Sequence, residues 1–279
     1  MGILESRRTE FRRVLTSAVK STARRLGYEV VRADTFDELV QRARIGRNIE
    51  GLLAVLKAFH GGQGYPAELI GNLHHSTSQF WQDIFVLAET NYRRNGYFVE
   101  FGAADGLSAS NTYLLEKVFG WTGILAEPAK VWHEALRGNR ASATHIETRC
   151  VWSRSGDVLP FDEFDYPELS MPSGRGDADV LRKERVATAR YEVTTISLND
   201  LLEEYRAPEV IDFLSIDTEG SEFDILNAFD FARHRFNVIV CEHNFSEQRE
   251  PIAALLARHG YTRKHQDLSA VDDWYVRAP

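Results

Sequence analysis

The chain has 279 residues, which permits one large domain or one domain with an appended piece. Its hydrophobic content of 43% can support a substantial core, and its net charge of −8 does not favour nucleic acid as a partner. No run of about 18 or more apolar residues and no secretory signal occurs, so we expect neither a membrane span nor a leader. Cys150 and Cys241 lie in apolar, strand-like segments and are predicted to be reduced core residues of a cytoplasmic protein.

The amino-terminal part is basic, in contrast to the rest of the chain. Residues 1–27 hold seven Lys or Arg and two Glu, a charge of +5, which leaves −13 for the remainder. Residues 7–26 have the apolar spacing of an amphipathic helix with a basic face. This helix could lie peripherally on the inner, anionic face of a membrane, or it could pack on the protein body. Residues 36–59 are also predicted to be helical.

The central feature of the sequence is a short strand that runs into a glycine turn. Residues 97–101 are almost entirely apolar and follow the turn signal Asn95-Gly96, which is typical of a buried strand. A turn with two glycines comes next, and residues 108–119 are predicted to form a helix that ends at Gly120. Upstream, Gln82 and Asp83 are polar positions within an apolar helical period, and either could face a pocket or cap the helix.

The spacing of the glycines in this turn discriminates between ligands. A dinucleotide-binding turn has the pattern G-x-G-x-x-G, whereas here Glu100, Gly102 and Gly106 give acid-x-Gly-x-x-x-Gly. The acids Glu100 and Asp105 would repel a pyrophosphate, which disfavours a nicotinamide oxidoreductase, and would suit a cationic or hydroxyl-rich ligand. The turn resembles the first motif of class I S-adenosylmethionine-dependent methyltransferases. That resemblance implies that Glu100, Gly102, Ala103, Asp105 and Gly106 bind the methionine part of the cofactor.

A second strand supports a nucleoside site. The apolar segment 123–126 ends in Glu127-Pro128, 27 residues after Glu100, which is a strand-helix-strand distance. An acid at this position in a doubly wound sheet accepts hydrogen bonds from ribose hydroxyls, although Glu127 could also be a solvated loop acid before a proline. A third predicted strand, residues 144–150, would bring Val151 past the adenine.

Residues 154–190 interrupt the alternation of strands and helices. A segment of this length within a compact domain is usually functional or mobile. We expect an insert that covers the active site and helps to select the substrate, with a surface excursion as the alternative. Residues 191–196 then form a predicted strand, and Ser197 is a candidate cap for the next helix.

Two later strands end in acidic or ionisable residues. The apolar segment 211–216 leads into Asp217, Glu219 and Glu222, and the segment 236–241 leads into Glu242-His243. The chain is predicted to close with a helix over 250–259 and strands over 261–265 and 273–277.

Taken in order, these motifs resemble the FkbM-type methyltransferase family over residues 78–279. The segments that carry the resemblance are Glu100–Gly106, Ser110-Asn111-Thr112, Trp121–Pro128, Ile216–Glu222 and Glu242-His243. Membership implies an α/β fold with a doubly wound, mostly parallel seven-stranded sheet. The resemblance does not cover residues 1–77, which the apolar spacing predicts to be an N-terminal helical extension. Membership also implies O-methyl transfer to a sugar hydroxyl of a glycan, a lipid-linked saccharide or a related small molecule. The resemblance also implies that Asn111 contacts the cofactor.

A sugar hydroxyl is a weak nucleophile, so a general base should assist methyl transfer. Asp217 and His243, at the ends of neighbouring predicted strands, are the candidates, and Asp217 would also contact the cofactor. Glu219 could position Asp217 or the substrate, and Glu222 could simply favour a helix N-terminus. Asp217, Glu219, Glu242 and His243 could instead hold a divalent cation, although we assign no metal. A non-catalytic S-adenosylmethionine-binding scaffold is the alternative function.

Overall fold

The computed structural model describes residues 51–58, 65–165, 170–173 and 187–278. The predicted basic helix over residues 7–26 lies outside the described residues, as do residues 36–50 and part of the 154–190 insert. Of the helix predicted over residues 36–59, the described residues 51–58 are helical.

Short helices connect the strands. The α-helices are labelled α1 (Ala67–Gly71), α2 (Gln82–Glu89), α3 (Tyr113–Phe119), α4 (His133–Asn139), α5 (Leu198–Glu204), α6 (Glu222–Asn227) and α7 (Arg249–Arg258). Residues Leu73–His75 and Lys130–Trp132 form 3₁₀ helices. In the described part of the chain, no helix is both long enough and apolar enough to cross a membrane.

Among the described residues, seven strands form the main sheet: β1 (Tyr97–Phe101), β2 (Thr122–Ala126), β3 (His145–Glu147), β8 (Val210–Ile216), β9 (Arg235–Glu242), β10 (Tyr261–Lys264) and β11 (Asp272–Arg277). Their order is β10-β11-β9-β8-β1-β2-β3. Neighbours from β9 to β3 are parallel, and only β11 runs antiparallel to both of its neighbours. The predicted doubly wound, mostly parallel seven-stranded α/β sheet is therefore confirmed.

Side chains from both faces of the sheet are buried, which explains why the strands are apolar throughout. In β1, Val99 and Phe101 join one core cluster, and Phe98 points the other way into a second. Val55 and Leu69 are buried in that second cluster, although both precede residue 78. A domain boundary at residue 77 stays a prediction. Cys150 and Cys241 are buried and unpaired, as expected.

A smaller sheet accounts for much of the described insert. Its strands are β4 (Cys150–Trp152), β5 (Val158–Phe164), β6 (Met171–Pro172) and β7 (Ala187–Ser197), in the order β4-β7-β5-β6 among the described residues. The strand predicted over residues 191–196 is thus longer and lies in this second sheet.

The strand predicted over residues 144–150 is wrong as a single element. It divides into β3 in the main sheet and β4 in the small sheet. The Glu147 carboxylate accepts hydrogen bonds from the backbone N–H and the guanidinium of Arg149, which fixes a bend between the two strands.

The helix predicted from residue 108 begins only at Tyr113. Local side-chain hydrogen bonds hold the preceding residues in turns, and such bonds compete with helix formation. Glu100 accepts from the backbone N–H of Asn111 at 2.7 Å and from the hydroxyls of Ser110 and Thr112.

A buried arginine ties this turn to α4. The Arg140 side chain is 0% exposed and forms an ion pair with Glu116 at 3.2 Å, while Glu100 lies 3.8 Å away. Its guanidinium also donates to the carbonyl of Gly106 at 3.2 Å and to the hydroxyl of Thr112 at 2.9 Å. Two buried carboxylates therefore share one cation, and the fold depends on that cation.

We expect Arg140→Ala to destabilise the protein by about 3–5 kcal/mol, because it leaves Glu100 and Glu116 buried without their cation. Chemical denaturation would measure the loss. Arg137→Ala removes an exposed arginine one turn earlier on α4 and should change stability by less than about 0.5 kcal/mol. Equal effects of the two substitutions would contradict the role assigned to Arg140.

Candidate active site

A pocket opens where the carboxyl ends of β1, β2, β8 and β9 meet. After β1 the chain builds β2 and β3 on one side and later returns to β8 on the other, so the direction of winding reverses between β1 and β8. Ligands of open α/β sheets bind at such a switch point. Phe161 and Pro172, from β5 and β6 of the small sheet, also line the pocket.

Gly102 makes the first wall of this pocket possible. Its φ is +72°, and a Cβ at this position would lie 2.0 Å from the backbone oxygen of Asp217. Only glycine allows the turn after β1 to approach the end of β8 so closely. Gly102 and Ala103 both line the pocket, and their contact with a cofactor stays a prediction.

Glu127 lies at the end of β2 and also lines the pocket, next to Pro128. Its carboxylate accepts hydrogen bonds from the backbone N–H groups of Ala104 at 2.9 Å and Ala129 at 2.7 Å. Burial raises the pKa of Glu127 to about 7. Each oxygen has further lone pairs, so Glu127 can also accept hydrogen bonds from a ligand diol.

Asn111 presents an acceptor to the same space. Its Nδ2 donates to the Ser215 hydroxyl at 2.9 Å, whereas its buried Oδ1 accepts no hydrogen bond from the described residues. A buried acceptor without a partner is costly, and a ligand donor such as an ammonium group would satisfy it. Val151 lines the pocket from β4, where an apolar surface suits a planar base.

Glu100, Asp105 and Gly106 do not line the pocket, which differs from the expectation that they contact a cofactor. The Glu100 carboxylate already accepts a hydrogen bond from a donor within the turn and forms an ion pair with Arg140. Asp105 accepts from the backbone N–H groups of Leu107 and Ser108 at 2.8 and 2.7 Å. Gly106 packs against α4, where a Cβ would meet Leu136 at 2.5 Å. These three residues stabilise the turn from the side that faces away from the pocket.

Carboxylates crowd the opposite wall of the pocket. Ligand atoms of Asp217, Glu219 and Glu242 all lie within 4.8 Å of one another. Asp272, at the start of β11, pairs directly with Glu242 across the sheet and also lines the pocket. Burial raises the pKa of Asp272 to about 6.

Asp217 and Glu242 are hydrogen-bonded to each other, so the two carboxyl groups titrate as a pair. Desolvation and the like charge of Glu219 raise the pKa of Asp217 well above its ordinary value. The Asp217 side chain is exposed to the pocket, so the like charges are the main cause of this shift in pKa. Burial and the adjacent Asp217 raise the pKa of Glu242 to about 12. The pair therefore retains a proton at neutral pH, and together with Glu219 it could alternatively take a divalent cation.

Two neighbouring residues hold this wall in place. Glu222 accepts hydrogen bonds from the backbone N–H groups of Thr218 and Gly220, each at 3.0 Å, so it fixes the acidic turn that precedes α6. Gln82 lines the pocket and donates to Asp272 at 2.6 Å, whereas Asp83 bonds to the start of its own helix.

His243 is not part of the pocket lining. It is buried, its Nδ1 accepts the backbone N–H of Phe245 at 2.9 Å, and its Nε2 lies 3.8 Å from Asp273. Successive residues of an extended chain point to opposite faces, so Glu242 enters the pocket and His243 turns away. The predicted proximity of Asp217 and His243 at the reacting atoms is not what the structure shows.

The geometry agrees with a sequence comparison. A model of the "Methyltransferase FkbM domain" matches residues 100–263, which is more than half of the chain. The chain belongs to the FkbM methyltransferase family. It is therefore a methyltransferase, and its methyl donor is S-adenosylmethionine. A search of curated proteins found no match.

The solved structures that the comparison returned include other methyltransferases. One is the precorrin-6y C5,15-methyltransferase from Geobacter metallireducens, at 12% identity over 70% of this chain and 86% of that chain, with a TM-score of 0.38. Another is the N-terminal domain of human METTL16, at 12% identity over 70% and 66%, with a TM-score of 0.37. A putative RNA methyltransferase from Pyrococcus horikoshii gives 11% identity over 66% and 67%, with a TM-score of 0.34. At these values the similarity indicates nothing about substrates.

The pocket fits this methyl donor. Gly102 leaves space for a close approach, the free Oδ1 of Asn111 suits an ammonium group, and Glu127 suits a ribose diol. Sequence reasoning assigned these three residues but missed Asp272. The signal was present, because an antiparallel strand begins at the edge where the parallel strands end.

We expect Glu127→Ala to weaken S-adenosylhomocysteine binding by roughly 1–3 kcal/mol, because a charged hydrogen-bond acceptor is lost. Isothermal titration calorimetry would measure this. Melting should also occur at lower temperature, since two backbone N–H groups lose their acceptor. The exposed Glu134 on α4 provides the control, and Glu134→Ala should change neither quantity. Unchanged affinity in Glu127→Ala would remove Glu127 from the cofactor site.

A second prediction concerns stability against pH. The raised pKa of Glu242 means that the folded protein keeps a proton that the unfolded chain releases above its ordinary pKa of about 4.3. The stabilisation is complete below that value and is lost as pH rises toward the folded pKa. Glu242→Gln is neutral in both states, so its melting temperature should exceed that of the wild type by at least about 2 °C at pH 8.

The advantage of Glu242→Gln should disappear near pH 4, where the wild-type carboxyl is protonated in both states. Differential scanning calorimetry at both pH values would test this, with the exposed Glu247→Gln as the control. The same difference in melting temperature at pH 4 and pH 8 would show that Glu242 is not held protonated.

Proposed function

We propose that the protein transfers a methyl group to a hydroxyl of a sugar in a glycan, a lipid-linked saccharide or a related small molecule. The observation that carries this proposal is the Asp217–Glu242 pair, two carboxyl groups within 4.8 Å of each other in the switch-point pocket, both with raised pKa values. A hydroxyl acceptor loses its proton during methylation, so it needs a nearby base with a raised pKa.

Asn111 and Glu127 would hold the two ends of the methyl donor, with Gly102 allowing its close approach. When bound, S-adenosylmethionine supplies an electrophilic methyl group on a positively charged sulfur. Asp217 is then the base that accepts the proton of the acceptor hydroxyl. A proton shared with Glu242 would orient Asp217 and limit the pair to one negative charge.

The position of the small sheet favours an acceptor that enters the pocket from the side of the insert. Phe161 and Pro172 line the pocket there, and Glu163 accepts a hydrogen bond from the Tyr191 hydroxyl at 2.9 Å, which links β5 to β7. These strands close one side of the pocket and would exclude water from the reacting atoms.

Asp217→Asn tests the proposed base. It should lower turnover by about 10²–10⁴-fold, with a melting temperature no lower than that of the wild type and little change in affinity for the neutral product S-adenosylhomocysteine. Wild-type turnover should rise with pH as Asp217 loses its proton, and this dependence should be absent in the variant. Transfer of radiolabelled methyl to a panel of oligosaccharides would measure both.

Three results would contradict parts of this account. Full activity of Asp217→Asn would remove the base. Activity lost on chelation and restored by Mg²⁺ would assign the carboxylates to a cation instead. Cofactor binding without methyl transfer to any acceptor would favour a scaffold domain.

A further inference from the structure

Phe245 is an exposed aromatic side chain just beyond the acidic wall of the pocket. It is 71% exposed, the largest fraction among the exposed large apolar side chains of the described residues. Exposure of this kind is unfavourable in water unless the ring has a partner to contact.

The backbone that presents Phe245 is also in an unfavourable conformation. Asn244 has a φ of +41° and Phe245 a φ of +55°, so two consecutive residues lie in the left-handed region without being glycine. For Phe245, which has no short polar side chain to compensate, this conformation is unfavourable. Such conformations persist only where the surrounding contacts impose them.

His243 supplies those contacts. Its Nδ1 accepts the backbone N–H of Phe245 at 2.9 Å, and the two rings meet edge to face with centroids 5.2 Å apart. The Nε2 of His243 lies 3.8 Å from Asp273, which accepts hydrogen bonds from Arg249 at 2.8 Å and Arg263 at 3.0 Å, and it makes no hydrogen bond to a described residue. Two contacts from a buried histidine, one to the backbone and one to the ring, therefore fix an exposed ring.

The segment that carries Phe245 lies at the rim of the pocket. The backbone N–H groups of His243 and Asn244 donate to the carbonyl of Val271, which lines the pocket. At the other end of the segment, Gln248 donates to the carbonyl of Gly220 at 3.5 Å, between the lining residues Thr218 and Ser221. Phe245 follows the lining residue Glu242 by three positions, a span of at most about 11 Å.

We propose that Phe245 is an acceptor-binding residue that stacks on the apolar face of a sugar ring, and that His243 is the residue that positions it. This inference rests on the proposed function and identifies part of its acceptor site. The C–H face of a sugar ring is apolar and rigid, so it can cover an aromatic ring without desolvating the hydroxyls at its edge. The exposed acids Glu247 and Glu250 nearby disfavour an anionic membrane as the partner.

The test compares acceptor kinetics on the best oligosaccharide of a panel built from glucose, galactose, mannose and rhamnose. Phe245→Ala should raise the acceptor KM about tenfold with little change in kcat and in affinity for S-adenosylhomocysteine. Phe245→Trp should retain the wild-type KM, and Phe245→Leu should resemble Phe245→Ala because it lacks a flat ring. Ile70→Ala, which removes an exposed apolar side chain on α1, should have no effect.

The role of His243 has its own readout. His243→Ala should raise the acceptor KM, and the double variant with Phe245→Ala should be no worse than Phe245→Ala alone, because the two substitutions remove the same contact. His243→Asn keeps an acceptor for the Phe245 N–H and should restore much of the affinity. The pH dependence of kcat should be unchanged in His243→Ala, which a catalytic base would not allow.

Direct binding separates this inference from the proposed function. Saturation-transfer NMR on the S-adenosylhomocysteine complex should show contact between the protein and sugar ring protons that Phe245→Ala abolishes. Contact without turnover would support the stacking site and contradict the proposed reaction. Turnover with an unchanged KM in Phe245→Ala would contradict the stacking site alone, and absence of both contact and turnover would contradict both.

Discussion

Like-charged carboxylates held at one edge of the sheet are the constraint on which the site depends. The strand order makes β8 and β9 neighbours, so Asp217 and Glu242 meet where these strands end. β11 runs in the opposite direction and begins there, which adds Asp272 beside Glu242. Carboxylates this close cannot all be ionised at neutral pH. They must share protons or gather around a positive charge, and a methyl donor with a sulfonium group would bring such a charge to the pocket.

A contrast within the protein shows that this arrangement is specific. Glu100 and Glu116 are also buried carboxylates, but Arg140 lies between them and hydroxyl and N–H donors complete their hydrogen bonds. No described lysine or arginine forms an ion pair with Asp217 or Glu242. The first pair of acids stabilises the fold, whereas the second keeps a raised pKa that chemistry can use.

The sequence predicted those features that depend on neighbouring positions in the chain. The main sheet followed from apolar runs, and Gly102, Glu127 and Asp217 followed from their places directly after strands. Predictions failed where the position of a residue depends on the direction of its side chain or on contacts with residues distant in the sequence. The His243 side chain points away from the pocket because that of Glu242 points into it. Glu100 forms an ion pair with Arg140, which follows it by forty residues in the chain. The bend between β3 and β4 depends on how Glu147 bonds to Arg149. None of these contacts has a periodic signature.

The central claim is that the acidic wall lies beside the positively charged sulfur of the methyl donor. The most direct measurement compares the affinities of cationic S-adenosylmethionine and neutral S-adenosylhomocysteine, without acceptor, in the wild type and in the double variant Asp217→Asn/Glu242→Gln. If the claim holds, the double variant loses at least about fivefold in affinity for S-adenosylmethionine and little for S-adenosylhomocysteine. Equal changes for the two ligands would show that the carboxylates do not face the reacting group.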